Sequence, residues 1–323
     1  MCNRSKYMNI LVTGATGYIG KKLSRELVRI GHSVTAITRN ADKLDDFDFP
    51  ISIINIDLVN SNLSDLDLSK FDVIYNCAGE LKNESLMEEL HINATMKLLK
   101  CISNSSTRWV QLSSVGVYGK NISGIIDENS IFSPIGRYEV TKTEAEIRIK
   151  EYCLNNDIPF SILRPSNVFS SDMPNNSLRQ LINFIKRGLF FYMKDPTKVM
   201  TNYVHVDDVV YALILCGIDD KAINNDYIVS DYLTQKEFVS IVCTTLGKTT
   251  PKLFIPHVIM NFLTVIMAYV PGLPNLTSRV DALSTEVVYS TAKIEKDLGY
   301  KKTTPLRQAL VEFSLKINKN NSI

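Results

Sequence analysis

Neither sign of charge dominates this 323-residue chain: 36 Lys and Arg stand against 34 Asp and Glu, a formal net charge of +2. So small an excess removes the electrostatic grounds for nucleic acid or an anionic membrane as partner. Histidine is scarce, at four residues. The six cysteines (Cys2, Cys77, Cys101, Cys153, Cys216 and Cys243) are scattered, with no Cys-x-x-Cys pair and no histidine at ligand spacing. That argues against a metal site or a disulfide framework and fits a reducing, cytoplasmic compartment. Long hydrophobic runs are missing too. The most apolar stretch, Val258 to Val270, is broken by Asn261 and Thr264 and stopped by Pro271, too short to span a bilayer. It reads as a packed helix, with a surface-lying amphipathic helix as the alternative. Met1 to Asn9 is polar and runs straight into a strand-like segment, unlike a signal peptide. Internal repeats, low-complexity tracts and flexible linkers are also lacking.

What remains is an ordinary globular composition, 45% hydrophobic and 22% charged, with enough residues for a sizeable core. Asn9 to Thr13 reads as a short buried strand, followed by a glycine-rich turn and a helix from Tyr18 to Ile30. Further strands are expected at Val34–Thr38, Ile51–Ile56, Phe71–Tyr75, Trp109–Leu112 and Phe160–Leu163. Helices are expected at Glu84–Cys101 and Arg137–Tyr152. Strands alternating with helices imply an α/β fold, a parallel sheet covered on both faces, with ligands at the carboxyl ends of the strands. After about residue 165 the pattern is irregular, with helices at Leu178–Arg187, Asp207–Leu215 and Phe238–Leu246.

Gly14, Gly17 and Gly20 form a GxxGxxG loop between the first strand and the first helix. Such glycines permit a tight turn, let the backbone approach a pyrophosphate, and allow the helix to pack close. Free amides at the helix start would face the phosphates. The fold class is therefore a Rossmann-type doubly wound parallel sheet with a smaller C-terminal substrate-binding lobe. The dinucleotide-binding part covers 8–170 plus returning segments near 200–230; the lobe covers 171–200 and 231–318. The end of the second strand, Ala36-Ile37-Thr38-Arg39-Asn40, has no acid for an adenosine ribose. It has Arg39, which favours NADP over NAD.

Tyr138 and Lys142 lie four residues apart, on one face of the expected helix. An ammonium there would lower the tyrosine pKa and fit it for proton transfer to an alcohol oxygen. Ser113-Ser114 follows the fifth strand, so a hydroxyl there could share the substrate oxygen. Asn76-Cys77-Ala78-Gly79 follows the fourth strand and brings small residues against the cofactor. Asn93 sits in the intervening helix.

These pieces together resemble the extended short-chain dehydrogenase/reductase superfamily, in its nucleotide-sugar epimerase, dehydratase and 4-ketoreductase branch. The matching segments are TGATGYIG (13–20), Asp57-Leu58, NCAG (76–79), HINATMKLL (91–99), LSSVGVYG (112–119), YEVTK (138–142), LRPSNVF (163–169) and VHVDDV (204–209), with a fainter continuation at STAKIEKDLGY (290–300). The resemblance implies Ser114, Tyr138 and Lys142 as catalytic residues, with Lys142 also on the nicotinamide ribose. It implies a cofactor site of Gly14, Thr16, Gly17, Tyr18, Ile19, Arg39, Asp57, Leu58, Cys77, Ala78, Gly79 and Asn93, with Asp57 and Leu58 bordering the adenine. Asn167 and Arg279 are its candidates for the substrate, a nucleotide-sugar. A homodimer stays open. His205 matches a structural position.

Two departures bear on the activity. Thr201 stands where many sugar-nucleotide epimerases have an arginine for the diphosphate. Val115-Gly116 carries no carboxylates of the kind dehydratases place after the serine. A 4-ketoreductase drawing on NADPH is the leading expectation, with a 4-epimerase as the alternative. A 3β-hydroxysteroid-type or other carbonyl reductase ranks lower, and a binding-only scaffold lowest, because Ser114, Tyr138 and Lys142 are all present.

Overall fold

A computed structural model describes residues 7–44, 47–103, 106–119, 123–173, 177–256, 259 and 284–320. The apolar stretch 258–270, save Ile259, and the candidate Arg279 lie outside the described residues. The main sheet has seven parallel strands. Its first strand β1 (Asn9–Thr13) pairs on one side with β2 (Ser33–Thr38), which carries β3 (Ser52–Asn55) at the edge. On its other side β1 pairs with β4 (Val73–Asn76), Leu11 opposite Ile74. Beyond β4 come β5 (Arg108–Leu112), β7 (Phe160–Pro165) and β10 (Asn225–Val229). The chain runs outward from β1 to β3, then returns to lay β4 on the opposite side. That reversal opens a crevice at the carboxyl ends of β1 and β4, where ligands bind in such sheets.

The central strands are apolar on both faces because helices cover both. Ile10, Leu11 and Val12 are fully buried, as are Ile74 and Tyr75. Each such side chain removed from water contributes about 1.5–3 kcal/mol. Helix α1 (Tyr18–Arg29) turns Leu23 and Leu27 inward beside α6 (Val206–Ile218). The opposite layer holds the segment after β4 and helix α4 (Arg137–Asn155).

The expected helix over Glu84–Cys101 is not uniform. It opens as α2 (Glu84–Glu88), passes through a wider π turn at Glu89–Ala94, and resumes as α3 (Thr95–Leu99). The extra residue in that turn breaks the 3.6 period on which the sequence reading rested, and such turns gather at functional sites. In the turn His91, Ile92 and Ala94 are buried.

Strands the sequence reading did not anticipate build the rest. A second sheet joins β8 (Asn167–Phe169), β9 (Met200–His205) and β11 (Asp231–Thr234), and a two-stranded one joins β6 (Gly124–Ile126) to β12 (Val287–Tyr289). Around the second sheet, α5 (Ser177–Lys186), α7 (Gln235–Thr245) and the last helix α9 (Leu306–Asn320) close a separate apolar cluster centred on Phe169, Phe238 and Phe313. The intervening α8 (Ala292–Leu298) packs Ile294 and Leu298 into the first core. A capping box starts α7: Thr234 Oγ1 accepts from Glu237 N, and the Glu237 carboxylate accepts from Thr234 N.

Candidate active site

The crevice begins with a buried polar network at the strand ends. Thr13 Oγ1 donates to Asn76 Oδ1, while Asn76 Nδ2 donates to Gln111 Oε1 at 2.9 Å and to Thr95 Oγ1 at 3.0 Å. Ala78 N donates to Thr13 Oγ1 at 3.2 Å. Side chains from β1, β4 and β5 thus hold the loop after β4 against the glycine loop. The approach is too close for side chains. A Cβ on Gly14, whose φ is +66°, would lie 2.7 Å from the Cys77 carbonyl carbon and the Ala78 nitrogen, and one on Gly20 would lie 2.2 Å from Gly14 O.

One groove collects most of the residues expected to hold the cofactor. Gly14, Thr16 and Gly17 form its floor; Arg39, Asp57 and Leu58 wall one end; Cys77, Ala78 and Gly79 wall the other. No side chain caps the N-terminus of α1 and its first turn holds no acid, so its first amides remain available to an anion. Asp57 also builds its own turn: its carboxylate accepts from Val59 N and Asn60 Nδ2, both at 2.9 Å, which holds its pKa down. A dinucleotide fits this construction of backbone amides, small residues and one cation.

The side chains of three expected cofactor residues do not line this groove, although the backbone of Tyr18 and Ile19 begins α1. Tyr18 turns away to a second, cationic groove with Lys21, Lys22 and Arg25, and its hydroxyl donates to Ser170. Ile19 packs at the rim of the core, leaving only its backbone near the loop. Asn93 Nδ2 donates to Glu89 Oε1 at 2.9 Å, one turn back on its own helix.

Of the proton-transfer candidates, Lys142 lies beside the Gly79 end. Lys142 is buried, and its Nζ donates to Leu112 O at 3.1 Å, the last residue of β5. That ammonium is 3.6 Å from the Cβ position over Gly79 and 6.0 Å from the Tyr138 ring centre. Burial pulls its pKa down to about 8, against the opposing pull of Cys77 and Glu146. Tyr138 does not show the depressed pKa expected from the ammonium. Burial pushes it up to about 12, and the charge of Glu139 adds to the rise. Desolvation of the tyrosinate outweighs a lysine whose Nζ is turned to a backbone carbonyl. Ser114 caps the short turn that follows β5, its Oγ accepting from Gly116 N at 3.1 Å. The neighbouring Ser113 Oγ is buried without a partner among the described residues.

His91 was not singled out by the sequence reading, yet it touches every part of this end. Its Nε2 accepts from Glu80 N at 2.9 Å, so the ring proton sits on Nδ1 and is donated to Thr141 Oγ1 at 2.8 Å. Thr141 Oγ1 in turn donates toward Arg137 O or Tyr138 O. The imidazole stands edge-on to the Tyr138 ring, centres 5.5 Å apart at 86°. Burial, then the Lys142 charge, push its pKa down to about 3, so the ring is neutral. In the sequence His91 appeared only as the first residue of the matching segment HINATMKLL (91–99).

Behind Lys142 the same face of α4 carries Glu146, paired with Arg164 of β7 at 2.6 Å, both fully buried. Tyr118 Oη and Asp226 take further guanidinium hydrogens at 2.8 and 2.7 Å. Removing one partner of such a pair typically costs about 3–5 kcal/mol, which anchors the register of α4 on the sheet.

Asn167 is exposed on β8; its Nδ2 donates to Asn202 O at 3.0 Å, and among the described residues its Oδ1 takes no hydrogen bond. Thr201 Oγ1 donates to Leu233 O at 3.0 Å and is part of the lobe's frame. His205 begins α6, its Nδ1 accepting from Asp207 N, and packs edge-on against Phe169. Among the described residues no cluster of metal ligands occurs, and no helix is long and apolar enough to cross a membrane.

The model of the NAD dependent epimerase/dehydratase family matches residues 10–229. Short-chain dehydrogenase/reductase family 42E member 1 of Macaca fascicularis is 27% identical over 92% of this chain and 85% of its own length. UDP-glucose 4-epimerase of Vibrio cholerae is 25% identical over 79% of this chain and 82% of its own. Among solved structures, UDP-glucuronic acid 4-epimerase from Bacillus cereus in complex with NAD superposes with a TM-score of 0.73 at 22% identity, covering 98% of each chain.

Proposed function

We propose, from the premise that this chain belongs to the NAD dependent epimerase/dehydratase family, that it is an oxidoreductase of a nucleotide-activated sugar working at carbon 4. The observation that carries this reading is the place of Lys142, its Nζ 3.6 Å from the Cβ position over Gly79 of the groove, 6.0 Å from the Tyr138 ring centre, and donating to Leu112 O at the end of β5, two residues before Ser114. The bound dinucleotide would exchange a hydride with the sugar carbon. Tyr138 Oη would pass a proton to or from the oxygen on that carbon, and Ser114 Oγ would share that oxygen. Lys142 would hold the ribose and supply positive charge as the tyrosinate forms. His91 would keep the Tyr138 ring in place.

The remaining roles follow the groove. Gly14, Thr16 and Gly17 would receive the pyrophosphate, Asp57 and Leu58 the adenine, and Cys77, Ala78 and Gly79 the nicotinamide side. Asn167, through its Oδ1, would reach the substrate. Residues 8–170 with the returning segments near 200–230 would serve the dinucleotide, and 171–200 with 231–318 the sugar. Arg39, exposed beside Asp57 with no acid at the end of β2, supports NADP and hence net reduction of a 4-keto sugar. A second reading, 4-epimerisation, is favoured by the similarity to UDP-glucose 4-epimerase. A homodimer through α4 is supported by Val140, Ile147 and Leu154, exposed by 40%, 49% and 60% at seven-residue spacing.

The dinucleotide that co-purifies decides between the readings. NADPH consumed in step with loss of a 4-keto sugar is the expected result. Interconversion of UDP-hexoses with no added cofactor would replace the reductase by the epimerase.

A further inference from the structure

The turn after Ser114 carries no carboxylate of its own, but the fold brings one to it. A Cβ placed on Gly116 would lie 2.8 Å from Glu139 Cγ and 3.4 Å from Ser114 Oγ. A Cβ placed on Gly136 would lie 2.2 Å from Glu139 Oε2. The Glu139 side chain therefore occupies the space that two glycines leave open, one in the serine turn and one at the start of α4. It is half-buried, and among the described residues no cation or donor pairs with its carboxylate. The nearest arginine in sequence, Arg137, is bound to Glu88. Tyr138 feels the charge.

We propose that Glu139 determines specificity at this site: it rejects sugars that carry a carboxylate beside the reacting carbon and favours those that carry a hydroxyl or amine there. The proposal rests on the nucleotide-sugar reading above. A sugar whose reacting oxygen is held by Tyr138 and Ser114 must lie against the turn that Glu139 covers. The substituent on the adjacent ring carbon then comes close to a half-buried negative charge. A hydroxyl or amine there donates to the carboxylate; a second carboxylate is repelled in a medium that screens less well than water.

Glu139 is also the third residue of α4, where a glutamate stabilises a helix start by charge alone. That local role predicts a change in melting temperature on substitution and no change in substrate preference. The test therefore reads a ratio. UDP-glucose and UDP-glucuronate are each titrated by calorimetry, and assayed for turnover, against the full chain and the Glu139→Gln variant with added NAD and NADP. The expected result is a wild-type preference for UDP-glucose of at least about tenfold, which falls at least about tenfold in Glu139→Gln through a gain for UDP-glucuronate. Gly116→Ala, which must displace the Glu139 side chain, should move the ratio the same way. Equal affinity of the wild type for both compounds, or an unchanged ratio in Glu139→Gln, overturns the proposal and leaves the nucleotide-sugar reading standing. Binding of neither compound by the wild type overturns both.

Discussion

Two helices border the groove, and they serve it in opposite ways. Helix α1 meets it end-on, through a glycine loop and uncapped amides, with no acidic side chain in its first turn. Helix α4 meets it side-on, through Lys142 beside Gly79, with Glu146 buried behind. At the first, affinity comes from backbone dipoles, which need only close approach. At the second, the proposed chemistry would come from ionisable groups whose behaviour burial resets. The α1 end is thus sensitive to added volume and the α4 end to lost charge or lost hydroxyls.

Substitutions separate the two ends. The largest effect should come from Tyr138→Phe, which deletes the proton-transfer hydroxyl and little else. Turnover should fall by about 10²–10⁴-fold while dinucleotide binding, followed by calorimetry, stays within a few-fold. Preserved turnover would remove α4 from the chemistry. Gly20→Ala should do the reverse. Its Cβ would meet the Gly14 carbonyl oxygen at 2.2 Å, so the helix must back away from the turn. A loss of about 1–3 kcal/mol in stability is expected, together with weakened binding of NAD and NADP alike, measured by urea unfolding and titration.

The pH dependence sharpens the contrast. His91 has an ordinary pKa of 6.5 that falls to about 3 in the folded protein. Below 6.5 the unfolded chain takes up a proton that the folded chain refuses. Stability should therefore fall as the pH drops through that window, by at most about 1.4 kcal/mol per unit from this group. Urea midpoints at pH 7 and pH 4.5 should draw closer together in His91→Gln than in the wild type. An unchanged interval would mean that His91 is charged in the fold. The smallest effect belongs to Arg39→Ala. It should weaken NADPH about tenfold and leave NADH nearly untouched, since only the former carries the 2′-phosphate. Equal losses for both would make Arg39 a general groove cation.

How far the sequence could be read tracks this same division. The glycine loop was legible because its function lies in the spacing of three residues next to a strand. Tyr138, Lys142 and Ser114 were legible as types at a spacing, but their electrostatics were not. The expected lowering of the tyrosine pKa depended on where Lys142 Nζ points, and it points to Leu112 O. Asn93 was expected at the cofactor; its Nδ2 donates to Glu89 Oε1 within the π turn, a departure from the regular helical period that the sequence reading did not anticipate. Strands β8 and β6 were missed because three-residue strands carry almost no periodicity and owe their existence to partners 30 or more residues away.

By itself the sequence determined the alternation of strands and helices, the parallel sheet, and a glycine loop after the first strand. These are local matters, set by hydrophobic period and by where a Cβ is missing. Only the tertiary structure decided that His91 joins Glu80 to helix α4, and that Glu139 fills the room beside Gly116. It also decided that burial, and not the neighbouring ammonium, sets the Tyr138 pKa. Those outcomes depend on distances between residues far apart in the chain and on the loss of water around them, and neither is written in any single segment.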